Sequence, residues 1–83
     1  MHYVLFTTLT CPKCPPFKDF VKNNLSFEGE ILDNTSPNFS VRISEAKVHS
    51  APTLVIYNQD KQEIFRTDEV DELQRWLEGQ KAN

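Results

Sequence analysis

The sequence predicts an α/β domain with the element order β-α-β-α-β-β-α. Three observations carry that reading. Two short runs, residues 3–7 and 53–57, are apolar, flanked by polar positions, and read as buried strands. Three other stretches space their apolar residues by three and four, as one face of a helix does. The only two cysteines of the chain, Cys11 and Cys14, stand where the first strand gives way to the first helix.

Taken in order, the first strand holds Tyr3, Val4, Leu5 and Phe6, and residues 8–10 form a brief loop before the cysteines. From Pro15 onward, Phe17, Phe20, Val21 and Leu25 mark the inner face of the first helix. Pro15 and Pro16 suit its first turn, where their missing N–H groups would be unpaired in any case. A second strand is expected over 27–32, weakened by Gly29 and its flanking glutamates, and 33–37 is turn-like. Ser36 is read as the N-cap of a second helix with Phe39, Ile43 and Ala46 facing inward. Val41 and Ile43 also alternate as a strand would, so this segment keeps two readings. Residues 53–57 (Thr-Leu-Val-Ile-Tyr) form the plainest strand. A polar turn over 58–61 joins it to a fourth strand over 63–66 as a hairpin. Asp68 or Thr67 caps the last helix, with Val70, Leu73, Trp76 and Leu77 inward and Gly79 ending it. No repeat, linker or low-complexity segment interrupts the pattern, so residues 1–83 are expected to form one domain.

Composition sets the frame for that domain. A chain of 83 residues buries roughly 60–65% of its unfolded surface, near the lower limit for an unaided core. With 39% hydrophobic and 25% charged residues it reads as a folded globule rather than a disordered tail. Two cysteines cannot build a structural disulfide framework, so packing must carry stability. The N-terminus enters its apolar run without a basic region or cleavage site, and no secretory leader is expected. No apolar run approaches the length of a membrane span. A thiol-reducing, cytoplasmic location is therefore the default. A net charge of −3, with no Lys/Arg stripe, argues against nucleic acid as a partner.

The motif Cys11-Pro12-Lys13-Cys14 carries the chemistry. Sulfurs three positions apart at a helix start can close into a disulfide ring and open again. The attacking species in disulfide exchange is thiolate, so the nucleophilic cysteine needs a depressed pKa. Cys11 lies where a helix N-terminus favours negative charge, and Lys13 adds a cation. Together these are expected to move Cys11 from about 8.5 into the roughly 3.5–7.5 range of such environments. Cys11 would attack a target disulfide, Cys14 would resolve the mixed disulfide, and Pro12 limits the backbone between them. Structural zinc is the competing use of such a pair, but it takes four ligands, and His2 and His49 lack ligand spacing.

These residues resemble the thioredoxin fold in its short, glutaredoxin-like form. The resemblance covers nearly the whole chain and rests on Cys11-Pro12-Lys13-Cys14, on Ala51-Pro52-Thr53, and on the closing helix from Asp68 to Glu78 around Trp76. It implies a four-stranded mixed sheet flanked by three helices. It also implies a cis Ala51–Pro52 bond beside the sulfurs, with Ala51, Thr53 and Asp68 contacting substrate. The activity implied is that of a monomeric thiol–disulfide oxidoreductase without a cofactor, acting on disulfide-containing proteins such as ribonucleotide reductase. Its reductant would be a thioredoxin-reductase-like flavoprotein or glutathione. The second function the resemblance allows is a metal or iron–sulfur cluster held by the cysteine pair at a dimer interface.

The chain also departs from both family patterns. Thr8 and Lys13 stand where glutaredoxins carry a cation and an aromatic residue. Ile64, Phe65 and Arg66 replace the Gly-Gly pair that admits glutathione, although Thr67-Asp68 matches the polar pair after it. Thr10 and Leu5 occupy the positions of the thioredoxin Trp and buried Asp. Plainer readings accompany the other candidates. Pro52 alone would suit a trans turn, His49 a surface position, Phe65 and Trp76 the core, and Lys18 and Lys47 a solvated face.

Overall fold

Side-chain alternation along two central strands decides how this chain packs. The computed structural model describes residues 1–81. Its elements are β1 (His2–Phe6), α1 (Cys14–Asn24), β2 (Gly29–Leu32), α2 (Phe39–Ala46), β3 (Thr53–Tyr57), β4 (Glu63–Thr67) and α3 (Val70–Lys81). The strands form one four-stranded sheet in the order β2-β1-β3-β4. β1 runs parallel to β2 and antiparallel to β3, and β4 is antiparallel to β3. Among the described residues this is a mixed sheet with three helices, as the resemblance implies.

Successive strand residues point to opposite faces. Leu5, Leu54 and Ile56 therefore share one face, where they are fully buried with Phe17 and Val21 of α1 and Leu73 of α3. Val4, Phe6 and Val55 point the other way and meet Phe39, Ile43 and Ala46 of α2. Two helices cover the first face; a helix of eight residues, none of them buried, covers the second. Arg66, on the α2 side of β4, donates hydrogen bonds to the carbonyls of Ala46 and Lys47 and pairs with Glu63 at 2.7 Å. It thereby ties the C-terminal end of α2 to the sheet.

Several boundaries differ from the sequence reading, each for a local reason. β2 begins at Gly29 rather than Phe27: the Tyr3 amide makes the first bond to this segment at the Glu28 carbonyl, 3.1 Å away, and Phe27 precedes it with its ring edge-on to Tyr3, centroids 6.1 Å apart. Ser36 does not cap α2. Its hydroxyl accepts from the Asp33 amide at 3.0 Å, and the helix starts two residues later behind Asn38, in the left-handed region at φ 60°. Neither Thr67 nor Asp68 caps α3: the helix starts at Val70 with its first bond from the Leu73 amide to the Glu69 carbonyl, and Thr67, still in β4, accepts from the Glu69 amide at 3.1 Å in the turn ahead of it. Gly79 does not end α3, which continues to Lys81; its φ is not positive, so it lacks the left-handed turn that stops a helix. The segment over 39–46 is helical, with Phe39, Ile43 and Ala46 inward and Val41 about half exposed.

Candidate active site

The topology gathers four chain segments at one end of the sheet. β1, β2 and β4 end there, and β3, antiparallel to β1, begins there. The loop leaving β1 is anchored first. The Thr7 amide and hydroxyl each donate to the Leu32 carbonyl at 2.8 Å, tying the exit of β1 to that of β2. The Leu9 amide donates to Asn34 Oδ1 at 3.0 Å, fixing the next turn to the loop after β2. The Cys11 amide then donates to the Thr8 carbonyl, and the Cys14 amide to that of Cys11.

Cys11 and Cys14 are joined as a disulfide, with Cα atoms 5.4 Å apart. Cys14 is the first residue of α1 and is 2% exposed, whereas Cys11 lies ahead of the helix and is partly exposed. Lys13 is the N-cap residue, without a side-chain capping bond, and Pro12 lies exposed between the cysteines. The start of α1 has few amides to offer an anion, since Pro12, Pro15 and Pro16 carry no N–H.

Two open depressions meet at this end. One, of about 280 Å³, is lined by Cys11 and Cys14 together with Thr8, Lys18 and Asp33. The other, of about 400 Å³, is lined by Lys13, Pro16, Phe17, Pro52 and Asp68. The side chain of Lys13 thus belongs to the second hollow, and the cation in the hollow that holds both sulfurs is Lys18. The sequence alone suggests a solvated face for Lys18; its spacing of four from Cys14, one helical turn, is the signal that places it here. Asp33, expected in a turn, also lines this hollow. Its carboxyl is held below the ordinary carboxylate range by the hydroxyl and amide of Thr35, with a smaller contribution from Lys18.

The remaining candidates lie at the start of β3 and near the start of α3. The Ala51–Pro52 bond is cis. Pro52 is buried and Ala51 half-buried. Thr53, 6% exposed, donates its hydroxyl to the Ser50 carbonyl at 2.7 Å, closing the turn that enters β3. Asp68 is exposed between the Pro52 depression and a neighbouring groove that includes His49 and Thr53. Phe65 and Arg66 serve the fold, Phe65 stacking on Trp76 at 5.0 Å and Arg66 holding α2 from the opposite face, while Ile64 is exposed. Among the described residues no group of three or more His, Cys, Asp or Glu side chains is placed to hold a metal ion.

Solved structures share this fold. Thioredoxin 1 from Thermosipho africanus TCF52B aligns over 98% of this chain and 99% of its own, with a TM-score of 0.67 and 21% identity. Oxidized thioredoxin O2 from Arabidopsis thaliana aligns over 94% of this chain and 72% of its own, with a TM-score of 0.77 and 17% identity. The chain has the thioredoxin fold. The thioredoxin-like protein BC3987 agrees, with a TM-score of 0.61 and 23% identity over 88% of this chain and 96% of its own. By sequence, no protein-family profile matches. An uncharacterized protein of Treponema pallidum (strain Nichols) is 35% identical over 50 residues, a match covering 60% of this chain and 65% of that protein. Within the thioredoxin fold, a C-x-x-C disulfide at the head of a helix is an arrangement suited to thiol–disulfide exchange.

Proposed function

We propose that this protein is a dithiol–disulfide oxidoreductase that reduces protein disulfides. The observation that carries the reading is the asymmetry of the cysteine pair, a partly exposed Cys11 ahead of α1 and a buried Cys14 within it. A sulfur that meets a partner must be reachable, and one that resolves a mixed disulfide needs only to reach its neighbour. The Cys11 thiolate attacks one sulfur of the target disulfide and displaces the first target thiolate. Cys14, deprotonated, attacks Cys11 and displaces the second, leaving a Cys11–Cys14 disulfide and a target reduced by two electrons.

The electropositive end of α1 and the cations Lys13 and Lys18 would favour the Cys11 thiolate. Ala51, Pro52 and Thr53 form the rim against which an extended target segment would lie, in the manner of strand addition, with Asp68 at its far side. We assign the chain a monomeric, cytoplasmic setting and place ribonucleotide reductase among its candidate targets. A thioredoxin-reductase-like flavoprotein suits the site better as reductant than glutathione, because Phe65 and Arg66 are committed to packing where an approach of glutathione needs glycine.

Turnover of a protein disulfide, coupled separately to thioredoxin reductase and to glutathione, tests this reading. The Cys14→Ser variant should trap a mixed disulfide through Cys11, and Cys11→Ser should lose turnover entirely and trap nothing. Failure with both reductants would remove the reductase assignment. A visible chromophore in protein purified without air, lost on mutating Cys11, would instead assign the pair to cluster binding.

A further inference from the structure

We propose that Lys18 serves the second half of the exchange, favouring the Cys14 thiolate that releases the bound target. The proposal rests on the dithiol chemistry above and deepens it by naming a group for the resolving step. Cys14 must lose a proton there, yet it is 2% exposed. A thiol so shielded from water gives up its proton reluctantly. Something beside it has to favour the anion.

Position argues first. Lys18 follows Cys14 by four residues in α1, so the two stand on one face of the helix. Helical side chains lean toward the N-terminus, which carries the Lys18 stem toward the turn that holds Cys14. Both residues line the hollow that contains the two sulfurs. Lys18 is half-buried, and its charge reaches Asp33, in the loop after β2, whose carboxyl it helps to hold below the ordinary range. The surrounding charges argue next. Among the described residues lining the hollow, Asp19 from α1 and Asp33 are the carboxylates and Lys18 is the one cation. Lys13 belongs to the neighbouring hollow. Without Lys18, a thiolate forming at Cys14 would face two carboxylates and no counter-charge. The order of events then separates the two sulfurs. In the free dithiol, both cysteines share the Lys18 cation. Once Cys11 is bonded to a target sulfur it carries no charge, and Cys14 alone is left to form an anion beside Lys18. Cys14 gives its proton to solvent through the open hollow and attacks the Cys11 Sγ. The bond from Cys11 to the target breaks, and its electron pair leaves on the target sulfur.

A dipyridyl disulfide, uncharged at neutral pH, reads both steps in the reduced full-length protein. Attack by Cys11 releases one pyridinethione and resolution by Cys14 releases the second, so absorbance rises in two phases. The Cys14→Ser protein should show the first phase alone. In Lys18→Met, the second phase at pH 7 should slow by about threefold or more beyond any slowing of the first. That figure follows from a rise of about one unit in the pKa of the resolving thiol. Such a rise cuts the thiolate about tenfold while its nucleophilicity gains about threefold. Lys18→Gln, a second neutral variant, carries the same expectation. The deficit should shrink as pH rises, and Lys18→Arg should recover most of the rate; a packing defect would do neither. A second phase that is unchanged, slowed no more than the first, or slowed equally at every pH overturns the proposal and leaves the exchange chemistry standing. A parent protein that releases no pyridinethione removes both.

Discussion

Cys11 and Cys14 are the same residue type three positions apart, yet the backbone gives them different environments, and the proposed division of roles follows from that difference. Cys14 is buried in the first turn of α1, whereas Cys11 ends a loop fixed by Thr7 and Leu9. In the proposed exchange, with three prolines thinning the local amides, the helix dipole and the side chains of Lys13 and Lys18 are the groups left to favour a Cys11 anion. Elsewhere single residues carry strain. Lys61 sits in the β3–β4 turn at φ 63°, in the left-handed region, which costs an L-residue roughly 1–2 kcal/mol. Glycine removes that cost and returns about 0.4–1 kcal/mol of it as added freedom in the unfolded chain. Lys61→Gly should therefore raise stability by about 0.5–1 kcal/mol. The urea midpoint should rise with unchanged slope; a lower midpoint would show that the Lys61 side chain makes contacts worth more than the strain.

Among the elements, β3 was legible at both ends because a β-branched run bounded by Pro52 and Asn58 admits one reading. The inner faces of α1 and α3 were legible from spacing alone, since Phe17, Val21, Leu73 and Trp76 point where a 3.6-residue period sends them. Capping was less so: Ser36 has the right chemistry for an N-cap, but its hydroxyl is taken by Asp33. The hollows between elements were the least legible: Lys18 stands one helical turn from Cys14, but Asp33, which lines the same hollow, comes there only once β2 has paired beside β1. β2 shows why local composition misleads. Gly29 looked like a weakness of the strand, yet it is required there: the Tyr3 ring from β1 lies over it so closely that a Cβ would overlap the ring. Gly29→Val should destabilise by about 1–3 kcal/mol, the range for overpacking. Adding Tyr3→Ala should cancel part of that loss. A Gly29→Val variant as stable as the parent in chemical denaturation would show that the ring swings aside at no cost.

Over the whole molecule, the charged surface gives stability a direction with pH. The Glu30 carboxylate pairs with Arg42 at 2.8 Å, linking β2 to α2, and its pKa lies below the ordinary value of 4.5, chiefly through that hydrogen bond. Asp33, just after β2, is likewise held below 3.8 by Thr35. A carboxyl with a depressed folded-state pKa binds its proton more readily in the unfolded chain. Its contribution is complete above the unfolded value and is lost as pH falls through the folded one. Both side chains of the Glu30–Arg42 pair are more than a third exposed, so screening holds its share to no more than about 1 kcal/mol. Stability should thus be level from pH 7 to about 5 as far as these two groups are concerned, and decline below about 4.5. Urea midpoints measured from pH 7 down to 3 should give the Glu30→Gln, Asp33→Asn double variant a lower plateau and a shallower acid decline. If both proteins instead lose stability in parallel below pH 4.5, neither carboxyl contributes to the decline. The link from β2 to α2 would then rest on packing rather than on the Glu30–Arg42 pair.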